Sequence, residues 1–161
     1  SDRASGMARR GDPARGGVER GSRAVVLKRQ RGGGRQDGAV MLKTGILNPH
    51  VLSLLARVRH TNTLVIADRG FPSWPGMETV DLSLVDGVPT VLQVVAAVRP
   101  NFVVAEAYMA QEFLRVNDAA TRRAFASALR GVSVTHEPHV EFKRRVPGAI
   151  GLIRTDRKSV V

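Results

Sequence analysis

Arg59-His60-Thr61-Asn62-Thr63-Leu64-Val65-Ile66-Ala67-Asp68-Arg69-Gly70-Phe71-Pro72 is the stretch that decides how this chain is built. Its middle, Thr63–Ala67, is a short β-prone run without polar alternation, as expected of a strand covered on both faces. The run closes on a carboxylate, Asp68. Gly70, Pro72, Pro75 and Gly76 then force a loop over residues 69–77. Upstream, Asn48-Pro49 reads as a helix start, because Asn caps and Pro at the first helical position needs no N–H. Val51, Leu52, Leu54, Leu55 and Val58 give that helix an apolar face, and His60 sits at its end.

The same alternation of elements continues outward. Val80, Leu82 and Leu84 alternate with Asp81 and Ser83, predicting a strand with one covered face. Asp86-Gly87 turns the chain, residues 89–98 read as a helix and residues 102–107 as an apolar strand. Asp118 can cap a helix over 119–129, which Gly131 ends. A strand at 132–135, a short helix at 139–146 and a last strand at 149–153 complete the pattern. Helices alternating with short apolar strands predict a three-layer α/β domain with a largely parallel central sheet. In such sheets ligands sit beyond the C-terminal ends of the strands.

The chain has 161 residues, enough for one domain. Its net charge of +11 invites a nucleic-acid or anionic-membrane reading. The charge is unevenly placed, however: residues 1–40 carry ten basic and four acidic side chains, and residues 41–161 carry fifteen and ten. Residues 1–40 also hold nine of the 16 glycines and no aromatic residue, so this segment reads as a disordered basic tail. Without aromatic interleaving, and with only a moderately basic body behind it, the nucleic-acid reading ranks below a small-molecule one. With no cysteine, disulfide, thiolate and sulfur–metal chemistry are excluded. No apolar stretch is long enough to span a membrane, and the N-terminus lacks the apolar core of a secretory signal. The expectation is a soluble cytoplasmic protein.

The chemistry-bearing candidates fall at element ends. His60 precedes the decisive strand and Asp68 follows it. An imidazole exchanges protons near neutral pH, and a carboxylate can accept a hydroxyl or hold a histidine tautomer. The blander alternatives are a histidine at a helix terminus and a turn-starting aspartate. Thr135-His136-Glu137-Pro138-His139 places two histidines after a later strand, but no third ligand stands at diagnostic spacing for a metal. Phe142 and Lys143 follow on the short helix, and Arg154-Thr155-Asp156 ends the last strand. Phe71 and Trp74, in the proline-rich loop, suit either a sugar face or a loop anchor, with the anchor favoured.

These residues, in this order, resemble the D-ribose pyranase and L-fucose mutarotase family. The opening Met41-Leu42-Lys43-Thr44-Gly45-Ile46-Leu47-Asn48, the block from Arg59 to Pro72, and His139 with Phe142-Lys143 and Ile153-Arg154-Thr155 carry the resemblance. Asp81-Leu82-Ser83-Leu84 and Gly87-Val88-Pro89 place it on the ribose-type branch. The likeness runs from Met41 to about Thr155, making residues 41–161 the folded domain, divergent after about 155.

The resemblance implies an isomerase that interconverts the pyranose and furanose forms of D-ribose, or of a similar free aldose, with no cofactor and no metal. His60 would be the main acid/base group, assisted by Asp68, with His139 polarising a hydroxyl and Lys143 and Arg154 completing the sugar site. It also implies a ring-shaped homo-oligomer, octamer or decamer, with the site between neighbouring subunits. His136 falls outside the family's register, and Arg69 stands where many ribose-type members have a small residue. One departure stands out. Where the family continues with Gly-Glu and a Tyr-x-Asn segment that reaches the sugar, this sequence reads Asp156-Arg157-Lys158-Ser159-Val160-Val161. The expectation is weakened activity, or a catalytically inactive sugar-binding relative, with a sheet edge left uncovered for want of the family's final strand.

Overall fold

The computed structural model describes residues 24–29, 45–101 and 103–156. Strand β1 (Ala24–Arg29) comes first. Helix α1 (Pro49–Arg57) starts as its sequence dictates: the Asn48 side chain accepts the backbone N–H groups of His50 and Val51, and Val51, Leu54 and Leu55 face inward. Strand β2 (Thr63–Ala67) is buried after its first residue. Strand β3 (Thr79–Asp81) is shorter than the alternation from Val80 to Leu84 predicts. Beyond it, Leu82 still packs on the core, but Leu84 is 77% exposed.

Helix α2 (Val91–Val98) begins later than predicted, because Thr90 and Gln93 form a reciprocal capping box. Strand β4 (Val104–Ala110) runs three residues further than expected, through Tyr108, Met109 and Ala110. A one-turn helix, α3 (Phe113–Val116), leads to α4 (Ala119–Ala128), capped by Asp118. Strand β5 (Ser133–Glu137), helix α5 (His139–Arg145) and strand β6 (Leu152–Arg154) close the described chain.

The six strands form one sheet in the order β3-β6-β2-β1-β4-β5. Neighbours pair in parallel except β1, which runs antiparallel to both β2 and β4. The other five strands therefore share one direction, and the largely parallel sheet predicted from sequence is present. Side-chain alternation divides the core between two faces. Val25, Leu27, Leu64, Ile66, Ala107, Met109 and Ile153 pack under α1, α2 and α4. Ala24, Val26, Val65, Ala67 and Leu152 pack under α5 and the Phe71 loop. Three layers result. Helix α1 lies so close to the sheet that a Cβ on Gly151 would come within 2.7 Å of Leu54 Cδ1, so glycine is needed there.

Residues 24–29 correct the expectation of a tail disordered throughout. Val25, Val26 and Leu27 are fully buried in the middle of the sheet. The apolar run is too short to fold alone. Between β2 and β4, with a core on each face, its burial offsets the entropy of ordering it. The remainder of residues 1–40 lies outside the described residues, as do 157–161. Among the described residues no helix is long and apolar enough to cross a membrane.

Candidate active site

Because β2, β4, β5 and β6 run in one direction, their C-terminal ends meet along one edge, and the side chains that follow them are brought together. Asp68 follows β2 and is only 2% exposed. Its Oδ1 accepts the Gly70 backbone N–H at 3.0 Å, and its carbonyl accepts the Phe71 N–H, closing a tight turn. A Cβ on Gly70 would stand 3.3 Å from that same carboxylate oxygen, so the turn leaves little space for a side chain. Phe71 then stacks on Trp74 at 5.3 Å and meets Phe142 of α5 edge-on at 6.3 Å. The two aromatic residues of this loop are thus anchors, and they fix the Asp68 turn beside α5.

Helix α5 carries two more candidates. His139 is its first residue and Lys143 stands one turn on, on the same side. The preceding Pro138 offers no side-chain cap. Instead, Glu112 Oε2, from the far end of β4, accepts the His139 backbone N–H at 3.1 Å. The ring nitrogen Nδ1 of His139 is buried without a hydrogen-bond partner among the described residues. A buried polar atom of this kind is costly unless something pairs with it, which marks the spot as one where a hydroxyl would be favoured.

Arg154 ends β6 opposite Ala67 of β2 and Asp81 of β3. By alternation it projects on the same face as Leu152, towards α5 and the Phe71 loop, and its Nη2 donates to Ser73 Oγ at 3.1 Å. Its Nε is likewise buried and unpartnered. Next to it, the Thr155 hydroxyl and backbone N–H both donate to the Ala67 carbonyl, tying β6 to the residue before Asp68.

Arg69 is exposed but paired. Its guanidinium lies 2.9 Å from Asp86 and 3.4 Å from Asp156, and Asp156 Oδ2 also accepts the Gly87 N–H at 2.8 Å. Arg69 is therefore a strut between the Asp68 turn, the end of β6 and the Asp86-Gly87 turn, with its charge already matched.

His60 is not part of this cluster. It lies exposed in the turn before β2, where the Asn62 side chain accepts the Arg59 N–H. A five-residue strand at about 3.3 Å per residue puts His60 roughly 16 Å from Asp68 within one chain. His136 is also elsewhere: it pairs with Met109, so its side chain shares Met109's face of the sheet, opposite α5. Among the described residues no group of His, Asp and Glu is arranged to hold a metal ion.

A polar network flanks the cluster on the α5 face. The Arg145 guanidinium lies 3.8 Å over the Tyr108 ring, and its Nε bonds Glu137 at 2.6 Å. Tyr108 donates its hydroxyl to Glu106, which holds the phenol above its ordinary range and the Glu106 carboxyl below its own. The network pins the C-terminal half of α5 to β4 and β5, and so helps fix the end that bears His139.

Residues 41–159 match the RbsD / FucU transport protein family. The chain belongs to that family. Its likeness falls on the D-ribose pyranase side. It is 39% identical over 119 residues to the D-ribose pyranase of Laribacter hongkongensis, covering 74% of this chain and 90% of the relative. It is 39% identical over 116 residues to the D-ribose pyranase of Bacillus licheniformis, covering 71% and 87%. Among solved structures, it superposes on Bacillus subtilis RbsD complexed with D-ribose with a TM-score of 0.69 and 31% identity, over 74% of this chain and 90% of that one.

Sequence reasoning missed Glu112, which supports His139, and the structural use of Asp156. The signal for Glu112 was present: once β4 is carried to Ala110, Gln111-Glu112 falls at the strand's C-terminal end, where Asp68, His139 and Arg154 also stand.

Proposed function

We propose that this chain interconverts the pyranose and furanose forms of D-ribose, or of a closely similar free aldose, by acid/base-assisted ring opening. What supports the reading is that Asp68 follows β2, Arg154 ends the neighbouring β6, and His139 and Lys143 belong to α5, which packs on the Phe71 loop, in a chain 39% identical to D-ribose pyranases. Opening the ring requires a proton to reach the ring oxygen and another to leave the anomeric hydroxyl. The carbon–oxygen bond of the ring breaks as the carbonyl forms, and closure through a different hydroxyl changes the ring size. All protons are returned, so the reaction needs no redox partner, in keeping with the cofactor-free chemistry that the family resemblance implies.

In this reading Asp68 accepts a sugar hydroxyl, and His139 offers its buried ring nitrogen to another. Lys143 and Arg154 supply positive charge along the same edge. His60 is the proton-transfer group, because an imidazole can both accept and donate a proton. Its distance from Asp68 within one chain means that a neighbouring copy supplies it, so the site lies between subunits of a homo-oligomer. The sugar is free in solution, consistent with a cytoplasmic setting.

A second reading, sugar binding without catalysis, draws on Asp156. Where the family has glycine, this carboxylate is committed to Arg69 and the Gly87 N–H. Saturation-transfer NMR on ribose decides between the two. Exchange accelerated by the wild-type chain and abolished by His60→Ala is the expected result. Ribose binding without acceleration would establish the second reading, and absence of both would overturn the assignment of the site.

A further inference from the structure

On the sheet face opposite α5, a groove of about 350 Å³ opens between α3, α4 and the edge strand β5. That is near the lower bound of small-molecule sites, roughly 300–1,000 Å³. Met109, Phe113, Phe125 and Leu129, all almost wholly buried, form its floor. Three nitrogen-bearing side chains, Arg122, Arg123 and His136, also line it, and no carboxylate does.

The two arginines differ. Arg122 Nη1 donates to the Leu114 carbonyl at 2.8 Å, which holds its guanidinium in place. Arg123 is exposed and makes no hydrogen bond or ion pair among the described residues. His136 joins them because strand alternation turns it to this face, while Glu137 turns to the other and bonds Arg145. The result is a carbon-lined floor beneath a cationic rim.

We propose that this groove binds an apolar monocarboxylate of the medium-chain fatty-acid class, its tail along the floor and its carboxylate between Arg122 and Arg123. A guanidinium pairs a carboxylate in two-point geometry, and the apolar floor gains only if carbon covers it. A purely ionic ligand would leave that floor wet. A second copy docked isologously would set like charges against one another with no acidic residue in the lining to neutralise them, and a heterologous ring contact here would show itself as the change in oligomeric mass tested below. The groove lies across the sheet from Asp68 and His139, so the inference stands independently of the ring-opening reading.

Octanoate, titrated calorimetrically into the full chain, is the probe. Saturable binding is expected, weakened roughly tenfold or more by Arg123→Glu, and octanol should bind at least about tenfold more weakly than octanoate. Ala126→Trp, which places bulk at an exposed position in the groove wall, should abolish binding, while circular dichroism shows the fold retained. If that variant fails to fold, Arg123→Glu and the octanol comparison decide alone. No saturable binding at millimolar octanoate, or binding indifferent to charge, would overturn the proposal. So would a change in oligomeric mass on Arg123→Glu, which would assign the groove to a subunit contact.

Discussion

Glu112 illustrates how a side chain outside the expected constellation can govern one inside it. Its carboxylate takes the place of the cap that Pro138 cannot provide, and so sets where the His139 ring begins. Glu112→Ala should lower stability by about 1–2 kcal/mol, read as a shift in urea midpoint. It should also raise the KM for ribose exchange more than it lowers kcat, because a displaced His139 loses a contact to the sugar; Glu112→Gln, which keeps an acceptor oxygen, should recover much of both. Asp81 supplies a pH-dependent case. Hydrogen bonds from the Ser83 hydroxyl and backbone N–H hold its carboxyl below the usual range. A depressed folded value means stabilisation present above the unfolded value and lost as pH falls through the folded one. Wild type should therefore exceed Asp81→Asn in urea midpoint near neutral pH, with the gap closing as pH falls below the usual carboxylate range. The places of Asp68, His139, Lys143 and Arg154 in the fold were legible in the sequence, because each stands at a strand end or within a helical turn or so of one. Glu112 was not, because the apolar run of β4 continues through polar Tyr108, which made the strand look three residues shorter than it is.

Among the elements, β1 is the one that sequence pattern conceals. Ala24-Val25-Val26-Leu27 is apolar but short, and it is set among arginines and glycines whose composition argues for disorder. Its partners, β2 and β4, lie far along the chain, so no local signal announces the pairing. Its removal would part the sheet into β3-β6-β2 on one side and β4-β5 on the other. Leu27→Ala should cost about 2–5 kcal/mol, as for other buried leucines. Val26→Asp, placing a carboxylate between the sheet and α5, should prevent folding altogether, which the near-ultraviolet dichroism would report. By contrast β2 was readable between Asn62 and Asp68, as was the start of α1 at Asn48-Pro49, although α1 ends at Arg57 and leaves His60 in the turn that follows rather than at the helix end.

For the whole molecule, the separation of His60 from Asp68 is what leads the proposed function to a site shared between subunits. Mixing His60→Ala with Asp68→Asn subunits, each inactive alone, tests this directly. If neighbours share sites and subunits mix at random, about a quarter of sites regain both wild-type side chains, and exchange should return to that level. A site contained in one chain would recover nothing. The three-layer architecture and the direction of five strands followed from the alternation of elements, whereas which ends of which chains face one another is written in surfaces that no periodicity reveals.

The antiparallel strand at the middle of the sheet also bears on how the protein is made. β1 leaves the ribosome before either of its neighbours, and Val26 waits for Tyr108, roughly eighty positions later, before its second edge is covered. During that interval one edge of an apolar strand lacks its partner, in a stretch of sequence rich in charges and glycines, the residue types that guard such strands against association. Even then the sheet is incomplete, because β6, the last of its strands to be made, has still to enter between β2 and β3.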